Sequence, residues 1–531
     1  MMCACVAACG APPRAGDLVV LASGADLESA NPLVTVHPLA RQVQRFALFV
    51  TLARYDSALA AEPYYARSWR WSADRRALTL RLEPRLVWHD GEPTTAHDVA
   101  FTLEAARDPA TGFPRAADLA WLERVDVIDD TLLTLHARRP LADLPAILCE
   151  LPIVPRHLLA STARADYRRA PFATAPVGNG PFRFAGRRVG EQWEFERVPT
   201  FPESMGGPAR LGRLIITVVD EPATKFAGLV SGELDLAGIS PTMADLVRRD
   251  RSLVVVSYPV SFSYALAFNG ARPPFDDVRV RRAVDAAIDR RRIIRVALAG
   301  YAAPAAGPVP PEHPFALPSR DEVAPADPDT LLDAAGWRRA ADGARARAGR
   351  PLRFTLLTVG SGDNAAEQLI QADLRSHGIS MDIRQMELGA FLAVARRTPK
   401  RFDALVTGIP GELSLSHLAA MFDSRQAGGA LDYAGHHDAS LDSLFTVARE
   451  APSPGAERAA WHAVQRRLAE QLPVAWLYHA RGVQGMSRRL RGVRMDLRGE
   501  LPTLARWEVG EIAGDVSGEA AGGANVDRNG R

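Results

Sequence analysis

An α/β fold divided into at least two lobes is predicted by three features of this sequence. Its 531 residues exceed what a single hydrophobic core sustains. Two stretches, "RLIITVVDEPATKFAGLVSGELDLAGI" (213–239) and the run that opens with "PLRFTLLTVG" (351–360), each read as strand, helix, strand, the crossover unit of a mainly parallel sheet. Between them, "VVVSYPVSFSYALAFNG" (254–270) is β-rich, carries a Pro break and is long enough to pass from one lobe to another.

Taken in order, "GDLVVLAS" (16–23) is a short buried strand, and "LARQVQRFALFVTLARYD" (39–56) follows with helical spacing through Val43, Phe46, Ala47 and Val50. "SWRWS" and "ALTLRL" flank the turn "ADRR", with Leu78, Leu80 and Leu82 alternating as in a half-buried strand. In "VWHDGEPTTAHDVAFTLE" (87–104) a strand ends at Trp88, Asp90-Gly91 makes a turn, Pro93 stops pairing, and Thr95 with Asp98 forms a capping box. Ala96, Val99, Ala100 and Leu103 then share one helix face. The alternative, a metal or acid–base cluster of His89, Asp90, His97 and Asp98, has no ligand spacing behind it. "APVGNGPFRFAG" (175–186) is a Gly-rich turn that feeds a strand, so it lacks the helix N-terminus a phosphate cradle needs. "FDDVRVRRAVDAAIDRRRIIRVALAG" (275–300) holds two helices, the second capped by Asp289 and closed by Gly300. Residues 301–328 read as a Pro- and Ala-rich surface loop, "LPVAWLYHARGV" (472–483) as a strand returning the chain, and 511–531 as a disordered Gly/Ala-rich tail.

Composition is that of a soluble globular chain, 47% hydrophobic and 24% charged. The 64 basic and 62 acidic residues are scattered, which argues against nucleic acid as a partner. Three of the four cysteines, Cys3, Cys5 and Cys9, crowd the first nine residues, and Cys149 stands alone; neither a disulfide framework nor a metal site is expected. Serine-elbow, zinc-helix, Walker and paired C-x-x-C motifs are all missing, which tilts against a motif-bearing enzyme.

Six stretches in register resemble one family. "WRWSADRRALTLRL", "VWHDGEPTTAHDVAFTLE", "APVGNGPFRF", "AFNGARPPFDDVRVRRAVDAAIDR", "DTLLDAAGW" and "YAGHHDASLDSLF" are similar in order and spacing to the extracellular solute-binding proteins of family 5, the peptide- and nickel-type receptors of ABC importers. The resemblance spans about residues 17–508. It implies a type II venus flytrap: two α/β lobes, two hinge strands and an inserted α+β domain. On this chain the first lobe would take 17–50, 175–260 and 480–508, the insertion 51–174 and the second lobe 263–477. It also implies a monomer without cofactor or catalysis, which closes on a peptide or other small polar solute and delivers it to a membrane permease. An enzyme, or a ligand sensor, on the same fold is the alternative.

Val6-Ala7-Ala8-Cys9-Gly10 resembles the lipobox of bacterial lipoproteins, so residues 1–16 are expected to be a signal remnant and linker, with Cys9 lipidated and the protein held outside the cytoplasm. For the ligand, peptide receptors of the family place an Asp for the peptide's amino group in the stretch occupied here by "VTGIPGELSLSHLAAMF" (406–422). Counted back from Leu418, Pro410 takes that place, and Glu412 lies two residues on. This turns the expectation away from a free peptide N-terminus. Gly408 and Ile409, Tyr264 and Asn269 at the crossing, Asn31 after the first strand, and Tyr433 beside His436-His437-Asp438 complete the candidate cleft wall. In the enzyme alternative, Glu412 would act with a nearby His.

Overall fold

The computed structural model describes residues 16–318, 326–360 and 364–510. Cys9 with the rest of the lipobox, and the tail 511–531, lie outside the described residues. One sheet runs through both lobes. In the first lobe Leu18–Ser23 lies between Arg213–Val218 and Leu236–Gly238, all parallel, and Gln192–Arg197 and Phe182–Arg188 extend the edge antiparallel. In the second lobe Arg353–Val359 lies parallel between Ser380–Met386 and Ala404–Pro410. The expected crossovers are therefore present, but the sheet is mixed rather than mainly parallel, because the strands that join the lobes run antiparallel to their neighbours.

Those strands are Leu253–Phe268 and Val474–Ser487, paired antiparallel along most of their length. Pairing breaks between Pro259, opposite Arg481, and Ser263, opposite His479. Proline lacks the N–H that the ladder needs, so the break falls where one lobe gives way to the other. The Ser263 hydroxyl and His479 Nδ1, 2.8 Å apart and buried, bridge the two strands just beyond it.

A separate four-stranded antiparallel sheet, in the order Ala66–Trp71, Ala77–Leu82, Leu132–Ala137, Leu122–Asp129, packs under the helix Ala96–Arg107. Thr95 and Asp98 form the capping box. Asp98 also accepts the Arg156 N–H, His97 sits 3.9 Å from Asp130, Asp90 pairs with His157 at 2.8 Å and His89 meets the Gly180 carbonyl. The four residues of the candidate cluster thus diverge, and among the described residues no group of His, Cys, Asp or Glu is placed to hold a metal ion.

Two elements depart from expectation. The helix expected through Val50 is only Pro38–Val43 followed by a π-turn, Gln44–Leu48. It stops because the Leu48 carbonyl accepts the N–H groups of Asn179 and Gly180, at 3.0 and 2.8 Å, instead of continuing the helix. Residues 301–328, expected as loop alone, begin with the strand Ala302–Pro304, which pairs with Tyr478–Ala480 and lengthens the sheet at the crossing.

Buried apolar residues of the first lobe and of the four-stranded sheet form one cluster, from Val19 and Leu21 through Phe49 and Leu80 to Trp88. The second lobe has two, one on each face of its sheet. A fourth cluster lies on the other face of the first-lobe sheet, with Tyr301 packed against its edge, and among the described residues the other three do not pass between the lobes.

Candidate functional site

The crossing strands open onto a depression of about 530 Å³ at the hinge end of the second lobe. Volumes of this order hold small organic ligands. Its floor comes from the sheet: Phe262 and Tyr264 on the first crossing strand, Gly408 opposite Tyr264, and Tyr478 on the second. Alternation along a strand puts residues 262 and 264 on one face. The Tyr264 and Tyr478 rings stack with centroids 4.9 Å apart, and Phe262 meets Tyr264 edge-on at 5.8 Å. Tyr264 keeps 38% of its surface exposed and so offers a large aromatic face to the depression. A side chain at 408 would meet the Phe262 ring, since a Cβ there falls 2.3 Å from Cζ, so glycine leaves room for that ring.

The rim is polar. The strand Arg353–Val359 ends and the helix Ala365–Ser376 begins here, and Thr358 donates to Glu367 Oε1 at 2.6 Å. The Asn364 amide donates to the Thr358 hydroxyl and to Glu367, both at 3.3 Å. Glu367 is the one charged side chain among the lining residues described. Burial and the Glu367 charge raise the phenol pKa of both tyrosines, so they remain neutral donors.

Nearby, across the gap between the lobes, Glu412 meets two arginines. The Arg41 guanidinium, on the helix Pro38–Val43, donates to both carboxylate oxygens at 3.2 Å. Arg115, beside the four-stranded sheet, lies 3.7 Å away and also pairs with Asp118 at 2.7 Å and with Glu150. Burial opposes the charge on Glu412, but Arg115 and Arg41 outweigh it and hold the carboxyl below its ordinary range. The loop carrying Glu412 is pinned: Gly411 N–H donates to Ser261 O at 2.8 Å, Glu412 N–H to His417 Nδ1 at 3.1 Å, and His313 Nε2 contacts Leu413 O at 2.9 Å. His417 therefore meets the backbone of Glu412, and this ring nitrogen is not available as partner to its carboxylate.

The other candidates scatter. Asn31 is fully buried, its amide on Tyr167 O and its Oδ1 on Leu33 N–H. Asn269 closes a turn, donating to Phe402 O and accepting from Ala271 N–H. Both side chains are committed to backbone partners. Ile409 and Tyr433 lie in the apolar cluster on the opposite face of the second-lobe sheet from the depression, and Pro410 is exposed at the strand end. Of the residues singled out, the structure brings Tyr264 and Gly408 together, with Glu412 apart on the interlobe seam. Tyr478, Phe262, Thr358, Asn364, Glu367, Arg41 and Arg115 escaped sequence reading. Pairing "SFSYALAF" against "LPVAWLYHARGV" would have found Tyr478, since both were read as β-rich runs where the lobes cross.

The sequence profile of the bacterial extracellular solute-binding proteins, family 5 (middle region), matches residues 60–427. The chain belongs to that family. As a family 5 member it is a solute-binding protein of an ABC importer, acting outside the cytoplasm. Among the described residues no helix is long and apolar enough to cross a membrane. Protein XP55 of Streptomyces lividans is 27% identical over 471 residues, which cover 86% of this chain and 83% of XP55. The oligopeptide-binding protein AppA of Bacillus subtilis is 24% identical over 512 residues, 94% of this family 5 protein and 92% of AppA. Among solved structures, NikZ of Campylobacter jejuni in complex with Ni(L-His) superposes with a TM-score of 0.77 at 22% identity, covering 93% of this chain and 100% of NikZ. AppA of B. subtilis in complex with a nonapeptide gives 0.76 at 22%, covering 94% and 100%. These likenesses show the two-lobed type II fold.

Proposed function

We propose that this family 5 protein captures an oligopeptide-like or other small polar solute between its lobes and that the Tyr264–Tyr478 stack is its principal contact surface. The exposed face of Tyr264, backed by the buried Tyr478 ring, carries the reading. It stands at the hinge end of a depression with a polar rim, where one face of a planar or cationic side group would lie on Tyr264 while Glu367, Thr358 and Asn364 orient the polar part. Relatives whose names or structures specify an oligopeptide, glutathione or nickel–histidine set the range of chemistry to try. Closure over the solute would present both lobes to an ABC permease. Tethering through a lipid on Cys9 belongs to the same proposal, and incorporation of labelled palmitate that is lost in Cys9→Ser tests it.

For the binding site, a thermal-shift screen of peptides, opines and metal chelates is the first experiment. A ligand at 100 times its Kd should add about 2.7 kcal/mol to stability. Tyr264→Ala should weaken that ligand about tenfold or more while leaving the melting temperature of the empty protein nearly unchanged, because the ring is half exposed. A ligand that binds Tyr264→Ala and Tyr478→Ala as well as wild type would place the site elsewhere.

A further inference from the structure

We propose that Glu412, Arg41 and Arg115 form an interlobe charge latch, in which the second lobe's own carboxylate acts as a built-in ligand for two first-side arginines and favours the closed conformation with no solute bound.

The three residues come from three parts of the chain that meet only when the lobes are together: Arg41 on a first-lobe helix, Arg115 beside the four-stranded sheet and Glu412 on the second lobe. Arg41 engages Glu412 through both nitrogens at 3.2 Å, the planar fork-on-carboxylate arrangement that fixes orientation as well as distance. Opening would leave the groups unequally served. Arg115, whose side chain is 11% exposed, keeps Glu150 and Asp118, whereas the Arg41–Glu412 pair dissolves and each loses the bidentate partner the structure gives it. Glu412 is also prepared for the contact, because the Ser261, His417 and His313 bonds hold its loop in place before the arginines arrive. A preset carboxylate forms the pair with little further ordering. Apolar contact between the lobes is limited to Tyr301, which packs on a first-lobe cluster with the Arg248 guanidinium over its ring, and the other ion pairs between them among the described residues are Arg139 with Glu450, beside the Arg449 carbonyl, and Arg481 with Glu312 at 3.2 Å. The closed state is therefore selected at this seam by charge, and a solute group that enters between Arg41 and Glu412 must replace the pair, a carboxylate taking the arginine or a cation taking the glutamate.

Small-angle scattering on the full chain, unfolded and refolded to strip any carried solute, tests this without knowledge of the ligand and so stands or falls apart from the aromatic site. The unliganded wild type should scatter as the closed structure. Glu412→Gln, isosteric but neutral, and Arg41→Met should each increase the radius of gyration, Arg41→Lys should fall between Met and wild type, and the double variant Glu412→Gln/Arg41→Met should open no further than either alone. Raising salt from low to about 1 M should open the wild type and leave Glu412→Gln unchanged. Circular dichroism confirms that each variant is folded. The latch is overturned if stripped wild type is already open at low salt, or if folded Glu412→Gln and Arg41→Met both scatter as wild type.

Discussion

Two junctions divide the molecule, and they are built from opposite materials. Where the four-stranded sheet meets the first lobe, the contact is made largely by backbone groups. Asn179 and Gly180 donate to Leu48 O, Val50 N–H donates to Asn179 Oδ1 at 3.0 Å, His89 N–H donates to Gly178 O at 2.8 Å, and His89 Nε2 reaches Gly180 O at 3.0 Å. One apolar cluster runs beneath all of it. Where the second lobe meets the other side, apolar contact shrinks to Tyr301 and ion pairs between partly exposed side chains take over. Buried backbone hydrogen bonds are costly to break, whereas charged side chains are resolvated readily when they part. The first junction is therefore permanent, the second suited to opening.

The largest effect should follow from damage to the permanent junction. A Cβ on Gly178 would sit 2.0 Å from Leu48 O, a backbone atom that cannot swing aside, so Gly178→Ala should cost about 3 kcal/mol or more in urea unfolding. A loss below about 1 kcal/mol would show that the junction yields and would erase the contrast with the seam.

Acid should act next. Burial lowers His89, His417 and His479 from 6.5 to about 4. Between those values the unfolded chain binds protons that the folded protein refuses, so stability rises with pH across the window; it is complete above about 6.5 and lost as pH falls towards 4. Denaturant midpoints measured from pH 7.5 down to 4.5 should decline, and His89→Gln should flatten part of the slope. An unchanged slope in that variant would mean that the ring is not held neutral at the junction.

Smaller again is His89→Ala at neutral pH, which leaves the Gly180 carbonyl without its ring partner and should cost about 1–2 kcal/mol. Smallest is Arg41→Ala at the seam. Its pair with Glu412 is 35% and 26% exposed, so equilibrium stability should change by less than about 1 kcal/mol. Urea midpoints for the two variants side by side sharpen the comparison, and equal losses would refute it.

Much of the fold was legible because its signals are local. The capping box of Thr95 and Asp98, the alternation of Leu78, Leu80 and Leu82, the cap at Asp289 and the crossover at 353–410 each depend on a few neighbouring residues and appear as read. The end of the helix at Leu48 was not legible, since its carbonyl is claimed by residues 179 and 180, far along the chain. The binding site was less legible still. Tyr264 and Gly408 could be singled out by their place near the crossing, but Asn31, Asn269, Ile409 and Tyr433 were equally plausible until burial and partners assigned them to turns and core.

By itself, then, the sequence determined the family, the α/β class and the local strands, turns and caps, because periodicity, glycine and proline geometry and capping chemistry operate over a few residues. Tertiary structure alone decided that Tyr478 lies on Tyr264, that "VGNG" and "WHDG" close on each other as one joint, and that Glu412 meets Arg41 371 residues away along the chain. Contacts of that kind are set by strand register and lobe placement, which no short stretch of sequence encodes.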